Sequence, residues 1–284
     1  MHKRFYEYQK MVILQSAKIG ELTPLMEAVI NPTVQLTDDL IATYAGIAMD
    51  GIHRYGRWNI FNPTALMLAA AYNNVDGVRK LIDTTEVRMQ NAHGWTALMY
   101  ASVNGHTECV KLLRDVEAGL QCLDGMTALI EAAQHGKTEV VQLLLEKEGG
   151  LSTNECFEHG SGFTALMAAC RSNHYDAAKL LYDCEKGMTQ ADGWTALMWA
   201  ASEGQYRCVR LMMPAEAGMV INESSEEFRG WTAMTWAVSN GNIDCAELLA
   251  KDELDKSRND ILRIIQTSDD LSPDQIRQCK DLLM

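Results

Sequence analysis

The sequence predicts an all-α solenoid of short repeated units, and three observations support this class. A threonine followed by Ala or Pro and then by Leu or Met recurs along the chain, at positions 23, 64, 96, 127, 164, 195 and 232. Successive threonines are 31 to 41 residues apart, and a repeat period of about 20–50 residues is typical of units that stack on their neighbours. The 284 residues are 47% hydrophobic and 22% charged, which indicates a globular chain.

Each unit is expected to open with the tip of a hairpin. Glycine stands two residues before the threonine in five units, often after a polar residue, at positions 94, 125, 162, 193 and 230. Glycine accepts positive φ without steric cost, and a tight hairpin tip requires this freedom. The tips are therefore predicted to lie just before the first helix of each unit.

The threonine itself is predicted to cap that short first helix. Threonine is a favoured N-cap residue, and the Ala or Pro that follows it suits the first helical position. Alanine always stands five residues after the threonine, which lets a neighbouring helix approach closely. From residue 64 onward, Gly or Asn stands nine residues after the threonine, and these residues end helices in the left-handed conformation. The first helix is therefore about two turns long.

A longer amphipathic helix is predicted to follow in each unit, as in "HTECVKLLRD", "KTEVVQLLLEKE" and "YRCVRLMMPAE". Its apolar residues recur at i, i+3 and i+4, the spacing of one helix face. Two units, those of Thr127 and Thr195, are longer than their neighbours (37 residues against 31). The additional residues are expected in the acidic segments 146–162 and 214–230, where they would lengthen the hairpin fingers between units.

The two ends of the chain are expected to differ from the middle. Residues 1–61 are predicted to form a divergent N-terminal capping repeat and residues 62–250 six regular repeats. Residues 251–284 are predicted to form two charged C-terminal capping helices, the second beginning at Ser272-Pro273. A solenoid needs such polar ends to shield the apolar faces of its last units.

The repeated core Gly-x-Thr-Ala-Leu-Met-x-Ala-Ala, the Gly105-His106 pair and the Val-x-Leu-Leu ending resemble the ankyrin repeat. The resemblance covers residues 62–250 and, more loosely, 21–61. It implies an ankyrin-repeat solenoid with a short helix, a turn, a longer helix and a hairpin finger in each repeat. The chain departs from the family pattern by Ala for the usual Pro and by Met for the usual His, at positions 67, 99, 167 and 198. Gly-Trp-Thr-Ala-Leu-Met with Glu-Ala-Gly-Met/Leu is similar to the ankyrin-only proteins of diplomonad protists, the protein 21.1 group.

Charge and cysteine usage argue against several classes of protein. The net charge is −13 without any cluster of basic residues, which argues against nucleic acid as a partner. No apolar run approaches the roughly 18 residues of a membrane-spanning helix, and the first 20 residues have no apolar stretch of signal-peptide length. The eight cysteines are never closer than 13 residues, so no Cys-x-x-Cys motif is present and a reduced, cytoplasmic chain is expected.

The candidate catalytic or metal-binding motifs have structural interpretations. Gly136-Lys137-Thr138 lacks the earlier glycine of a phosphate loop, because Glu131 stands there, and it aligns with the helix-ending turns of other units. His106 and His174 share one position of that turn, which favours local hydrogen bonding over metal binding. Three cysteines share a small apolar packing position, at 109, 208 and 245. We therefore predict no enzymatic activity, no catalytic residue, no metal and no cofactor.

The predicted function is protein binding, because the resemblance to ankyrin repeats implies a concave face made of hairpin tips and first helices. Partner-facing positions are expected one residue before each threonine and four, seven and eight residues after it. These positions give the candidate binding residues Trp95, Tyr100, Glu131, Phe163, Arg171, Trp194, Trp199, Glu203, Trp231 and Trp236. Because packed helices lie about 8–10 Å apart, the tryptophans of the last two units are expected in one patch.

Two interpretations of the tryptophan pairs stay open at this point. With Thr195 as N-cap, Trp194 and Trp199 occupy the N′ and N4 positions of a hydrophobic staple. A staple requires only apolarity and would accept Leu or Ile, whereas tryptophan is enriched at binding hot spots. The pairs either staple their helices alone or also form the floor on which a partner lies.

We accordingly predict a non-enzymatic scaffold or adaptor that holds partner proteins on the concave face, as a monomer in the cytoplasm or on the cytoskeleton. Cytoskeletal and signalling proteins are the expected classes of partner, and neither nucleic-acid binding nor membrane insertion is expected. The alternatives are a regulatory or targeting subunit of a separate catalytic protein, such as a kinase, and a self-assembling structural protein.

Overall fold

The computed structural model describes residues 20–56, 58–154, 161–222, 228–268 and 271–284. Within these residues the chain forms fifteen helices and one two-stranded hairpin. In chain order they are α1 (Pro24–Ile30), α2 (Asp38–Tyr44), β1 (Ile52–Tyr55), β2 (Trp58–Phe61), α3 (Ala65–Ala71), α4 (Val75–Leu81), α5 (Ala97–Asn104), α6 (Thr107–Glu117), α7 (Ala128–Gln134), α8 (Thr138–Glu148), α9 (Ala165–Arg171), α10 (Tyr175–Glu185), α11 (Ala196–Ser202), α12 (Tyr206–Glu216), α13 (Ala233–Ser239), α14 (Ile243–Thr267) and α15 (Pro273–Leu282). Seven short helices each follow a threonine and precede a second helix, so the predicted all-α repeat architecture is confirmed.

The chain divides into two compact units. The N-terminal unit comprises the described residues up to 128, and the C-terminal unit comprises the described residues from 129 onward. Within the N-terminal unit, the first helices α1, α3 and α5 pack side by side. Within the C-terminal unit, α9, α11 and α13 do the same, and each packs on the second helix of its own repeat. Each unit thus stacks its repeats in sequence order.

The capping threonines and the helix stops lie where the sequence predicts them. In α11, for example, the Thr195 hydroxyl oxygen accepts a hydrogen bond from the Met198 N–H at 3.2 Å. The first helices end at Gly or Asn residues with positive φ, at positions 73, 105, 136, 173, 204 and 241. These positions suit Gly and Asn because only they adopt the left-handed conformation readily.

The second helices are amphipathic, as predicted. Four of them, α6, α8, α10 and α12, are eleven residues long, and α12 buries Cys208, Val209 and Met212 on one face. The three cysteines predicted to be packing residues are buried, with exposed fractions of 0%, 0% and 2% at positions 109, 208 and 245. The second helix therefore contributes an apolar stripe to the core of its unit.

Hairpin fingers join the repeats, and the long units have longer fingers. In a short finger, the Gln190 N–H donates to the Trp194 carbonyl at 2.9 Å, four residues along the chain. In the two longer units the corresponding bond, 3.0 Å in both, spans ten residues, from 153 to 163 and from 221 to 231. The additional six residues therefore lie inside the fingers. Parts of the acidic segments predicted there, residues 155–160 and 223–227, lie outside the described residues.

The N-terminal finger contains the β1–β2 hairpin, the only strands among the described residues of this otherwise helical chain. The Met49 N–H donates to the Pro63 carbonyl at 2.8 Å, the bond that closes the other fingers. Beyond it the chain extends into antiparallel strands, with Ile52 opposite Phe61 and Tyr55 opposite Trp58. The segment expected to be an irregular cap is thus a helical repeat, α1 and α2, followed by an elongated finger.

The C-terminal boundary predicted at residues 250–251 falls inside a helix. The second helix of the last repeat continues without a break through α14, which has 25 residues. The predicted start of α15 is confirmed, because Ser272 caps it in a capping box with Gln275 and Pro273 takes the first helical position. The end of the C-terminal unit is therefore an extended last repeat with one additional helix.

A column of buried glutamates, which the sequence analysis missed, joins neighbouring repeats. This glutamate clamp comprises Glu86, Glu117, Glu148, Glu185, Glu216 and Glu253, each 1% exposed. In every case one carboxylate oxygen accepts from the backbone N–H two residues after the capping threonine, at 2.6–2.7 Å. In five cases the other oxygen accepts from a backbone N–H at the end of the preceding repeat, for example Gly187 to Glu216 at 2.9 Å. These five clamps therefore couple two repeats.

The clamp places a carboxylate at the N-terminus of each first helix, where the unpaired N–H groups and the helix dipole favour an anion. In four repeats the capping threonine also hydrogen-bonds the carboxyl, at Glu117, Glu185, Glu216 and Glu253. Burial raises the pKa of these four carboxyls, and the hydrogen bonds from the backbone and from threonine offset only part of that rise. The clamp carboxyls are thus buried polar groups whose need for hydrogen-bond partners is met.

Candidate binding surface

An aromatic pair flanks the start of several first helices, one residue before the capping threonine and four after it. In the C-terminal unit, the ring centroids of Trp194 and Trp199 are 4.4 Å apart and those of Trp231 and Trp236 are 4.8 Å apart. In the N-terminal unit, the Trp95–Tyr100 pair has a separation of 5.0 Å. This is the contact that a hydrophobic staple makes between N′ and N4.

In the C-terminal unit the pairs merge into one cluster. The Trp194 and Trp236 ring centroids are 4.5 Å apart, which links one repeat to the next. Phe163 extends the cluster at one end and Phe228 at the other, with separations of 5.8 Å to Trp199 and 4.9 Å to Trp231. All these separations lie in the range for favourable aromatic contacts. We call this cluster the aromatic stack; its members are Phe163, Trp194, Trp199, Phe228, Trp231 and Trp236.

Only part of the aromatic stack is open to solvent. Trp194, Trp199 and Trp236 are half-buried, and so is Phe228. Phe163 and Trp231 are buried, with exposed fractions of 0% and 6%. Three tryptophan rings and one phenylalanine ring therefore present surface, and the two other rings support them from below.

Four of the predicted binding residues are buried, and their placement corrects the expectation that they face a partner. They are Tyr100, Glu131, Phe163 and Trp231, with exposed fractions of 8%, 7%, 0% and 6%. In the N-terminal unit, the Tyr100 hydroxyl accepts from Asn91 Nδ2 at 2.8 Å and turns inward. In the C-terminal unit, Glu131 Oε2 lies 3.7 Å from His135 Nδ1. Neighbouring side chains cover these positions, so they offer little surface for contact.

The indole N–H groups of the stack differ in their partners. Trp199 Nε1–H donates to Gln190 Oε1 at 2.7 Å, and Gln190 is 3% exposed. At the equivalent place beside Trp236 the finger carries Ile221, which has no side-chain acceptor. Among the described residues, the buried Trp236 Nε1 has no hydrogen-bond partner. Packing alone therefore holds the Trp236 ring, whereas a hydrogen bond also fixes Trp199.

Charged side chains border the stack at Trp194 and Trp199. The Arg171 guanidinium carbon lies 5.1 Å from the centroid of the Trp199 ring, within cation–π distance. Glu203 is exposed and follows α11 as its C-cap, four residues after Trp199. Asp192 Oδ1 accepts from the Trp194 N–H at 3.3 Å. One cation thus lies over the Trp199 ring, and two acidic residues are close to the central pair in the chain, Asp192 through a hydrogen bond to the Trp194 backbone and Glu203 as the C-cap of α11.

The motifs considered for catalysis or metal binding have packing roles in the structure. Gly136 has a φ of 65° and precedes α8, so the Gly136-Lys137-Thr138 segment is the predicted helix-ending turn. His106 Nε2 lies 3.0 Å from the carbonyl oxygen of Ala71 in the preceding repeat, which shows a hydrogen-bonding role for this position. Burial raises the pKa of both Cys109 and Cys245 to about 11. Both thiols are therefore protonated at neutral pH.

Three further findings concern the described part of the chain. The residues described contain no group of three or more His, Cys, Asp or Glu side chains that could hold a metal ion. None of their helices is long and apolar enough to cross a membrane. The seven cysteines described are all unpaired thiols.

Comparison with known proteins identifies the repeat. The family model for ankyrin repeats matches the chain three times, over residues 25–122, 114–192 and 182–260. No curated protein matches the chain significantly. The narrower likeness to the ankyrin-only proteins of diplomonads therefore stays a prediction.

Proposed function

The chain belongs to the ankyrin-repeat family, and from this premise we propose that it is a non-catalytic scaffold or adaptor that holds a partner protein on the aromatic stack. Ankyrin repeats are generally protein–protein interaction modules. The observation that carries the proposal is the alignment of three half-buried tryptophans, Trp194, Trp199 and Trp236, in one continuous cluster.

Stapling alone does not account for the residues in the stack. A staple needs two apolar side chains, and Leu or Ile would supply them with less exposed ring surface. A contiguous exposed apolar patch is uncommon on a monomer unless it binds something. Tryptophan also heads the side chains that dominate binding energy at interfaces. The tryptophans therefore have a second role beyond the staple, as the floor of a binding surface.

The proposed contact residues are a subset of the predicted ones. Trp194, Trp199 and Trp236 form the floor, and Arg171 and Glu203 lie at its edge. Phe163 and Trp231 support the floor from the interior. In the N-terminal unit, Trp95 is a separate candidate contact residue, because it is half-buried and stacks on Tyr100.

The cysteines and the charge support a proposed cellular setting and class of partner. Unpaired thiols in all seven described cysteines support a reducing compartment such as the cytoplasm. The acidic chain repels nucleic-acid phosphates, so the partner is a protein. We propose that the chain binds this partner as a monomer and that the partner is a cytoskeletal or signalling protein. We also propose that the repeat sequence of the chain is that of the ankyrin-only proteins of diplomonads.

The test compares partner capture by leucine variants of the stack. Trp194→Leu, Trp199→Leu and Trp236→Leu keep the apolar contacts of the staples and remove the aromatic rings. Tyr206→Leu is the matched control, because Tyr206 is an exposed aromatic residue (46%) on α12, outside the stack. Cross-linking in source lysate followed by mass spectrometry should show partners lost from folded stack variants and retained by the control. Retention of all partners by the folded stack variants would contradict the proposal.

The same experiment separates the other classes of function. A catalytic protein cross-linked to the stack would identify the chain as a regulatory or targeting subunit. Cross-links only to further copies of the chain, with mass that increases with concentration in light scattering, would indicate a self-assembling structural protein.

A further inference from the structure

We infer that the segment bound by the aromatic stack is basic and places arginine or lysine side chains against Trp194, Trp199 and Trp236. The inference rests on the proposed function and names the chemistry of the partner. It is carried by the distribution of charge, by an arginine already seated on the stack and by two acidic residues that flank the central tryptophan pair in the chain.

The charge of the chain is concentrated in the half that carries the stack. Residues 129–284 contain 25 acidic and 14 basic side chains, whereas residues 1–128 contain 13 acidic and 11 basic ones. The C-terminal half therefore carries −11 of the net charge of −13. Among the described residues, five of these acidic side chains are buried, at positions 131, 148, 185, 216 and 253, and the 20 others still exceed the 14 basic side chains. An excess of negative charge of this kind steers cations toward the surface and repels anionic partners.

The stack already binds one guanidinium from its own chain. Arg171, the last residue of α9, lies over the Trp199 ring at 5.1 Å from its centroid. Indole is the aromatic group that attracts cations best. The Arg171 contact shows that the geometry of the stack admits a guanidinium at one end, where a planar cation meets the ring.

Two acidic residues near the central rings in sequence have no ion-pair partner among the described residues. Asp192 and Glu203 flank the Trp194–Trp199 pair in sequence, and neither makes an ion pair in the part of the chain that the structure describes. Aromatic rings on an acidic surface are complementary to a cation with an apolar stem, because the stem packs on a ring while the surrounding negative charge attracts the charged head. An acidic or purely aliphatic segment would leave both carboxylates uncompensated.

The probes are short peptides of glycine and serine that carry four arginines, four lysines, four glutamines or four glutamates. Their binding to the full chain is measured by fluorescence polarisation and by quenching of tryptophan emission. The arginine peptide should bind about tenfold more tightly than the glutamine peptide. The glutamate peptide should not bind. Raising the salt from about 50 to 300 mM should weaken arginine-peptide binding about threefold, because the attraction is partly screened.

Two variants distinguish a site from general attraction to an acidic protein. The double variant Trp194→Leu/Trp236→Leu keeps the net charge and should lose about fivefold to tenfold in affinity for the arginine peptide. The variant Asp192→Asn/Glu203→Gln should lose about threefold to tenfold. Its matched control is Glu247→Gln/Asp252→Asn, which makes the same charge change at exposed positions of α14.

The outcomes are decisive in each direction. Equal losses in the two charge variants, or full binding by the tryptophan variant, would show diffuse attraction and overturn the inference. If the tryptophan variant fails to fold, the comparison of the two charge variants decides alone. If cross-linked partners depend on the stack but their contacting segments are neutral or acidic, the inference fails while the proposed function stands. If the partners do not depend on the stack, both fail.

Discussion

The N-terminal and C-terminal units follow the same construction and differ in what they display. Both cap their first helices with threonine, end them with Gly or Asn, and contain members of the glutamate clamp. In the N-terminal unit the Trp95–Tyr100 pair is followed by no further tryptophan, whereas in the C-terminal unit two pairs join into the aromatic stack. The residues that define the repeat are thus separable from the residues that define its surface.

The glutamate clamp shows how the repeat tolerates its departures from the family pattern. Methionine stands where ankyrin repeats usually have His, and Met67, Met99, Met167 and Met198 are all buried at 1% exposure. The backbone N–H groups at the helix start are bonded by the capping threonine and by the glutamate from the end of the second helix. Polar contacts at the helix start are therefore present although the methionine side chain supplies none.

The largest effect is expected from removing a glutamate of the glutamate clamp, a feature that both units share. Glu216→Ala leaves the buried Leu197 N–H without its acceptor and Glu117→Ala leaves the buried Leu98 N–H without its acceptor; each also removes a second, part-buried backbone hydrogen bond. Each should lower the free energy of unfolding by about 3 kcal/mol, with similar values in the two units. Urea denaturation measures this, and Glu203→Ala, at an exposed position, should change stability by less than about 0.5 kcal/mol. Losses below about 1 kcal/mol in the clamp variants would show that water replaces the carboxylate.

The second prediction tests the feature in which the units differ. Trp194 contacts two other tryptophan rings, whereas Trp95 contacts one aromatic ring. Trp194→Ala should therefore destabilise the chain by about 1 kcal/mol more than Trp95→Ala, since each aromatic pair contributes about 0.5–1.5 kcal/mol. Thermal and urea unfolding of the two variants give the comparison. Equal losses would mean that the stack adds nothing to the stability of a single pair.

The third prediction sharpens the comparison inside the stack. Trp199→Phe removes the hydrogen bond to Gln190, whereas Trp236→Phe removes an indole N–H that has no acceptor among the described residues. Trp199→Phe should cost about 1 kcal/mol more than Trp236→Phe. Differential scanning calorimetry of both variants provides the measurement. The reverse order would show that Trp236 gains a partner in solution.

The smallest expected effect is a change in the pH dependence of stability. Because burial raises the pKa of Glu216 in the folded chain, folding takes up a proton between the unfolded pKa and the folded pKa. Stability is therefore highest below the unfolded pKa and declines as the pH rises through the folded pKa, with a slope of at most about 1.4 kcal/mol per pH unit for each carboxyl. Glu216→Gln should make the decline shallower in denaturant titrations above pH 4.5. An unchanged slope would contradict the raised pKa.

Much of the fold is readable from the sequence because it depends on near neighbours in the chain. A threonine before an alanine caps a helix, and a Gly or Asn nine residues later ends it, whatever lies beyond. The lengths of the fingers follow from the spacing of the threonines. The candidate binding positions can be predicted in part, because the repeat spacing places Trp194, Trp199, Trp231 and Trp236 at equivalent positions of successive units. In the structure their rings are in contact.

The features of the structure that could not be predicted from the sequence depend on contacts between repeats. A glutamate stands 21 residues after the threonine in five repeats and 22 in another, so a signal for the clamp exists. It cannot be distinguished from a solvated helix end until the N–H groups of the preceding repeat surround it. The burial of Phe163, Trp231 and Glu131 also depends on neighbouring residues, because helical spacing does not show which side chains a neighbour covers.

The sequence therefore determines where each helix starts and stops and which side chains share a column, because backbone geometry and capping are local. Tertiary structure decides which glutamates are buried, which rings of the stack remain exposed and where α14 ends. These depend on the packing of one repeat on the next, which brings together groups about 30 residues apart in the chain.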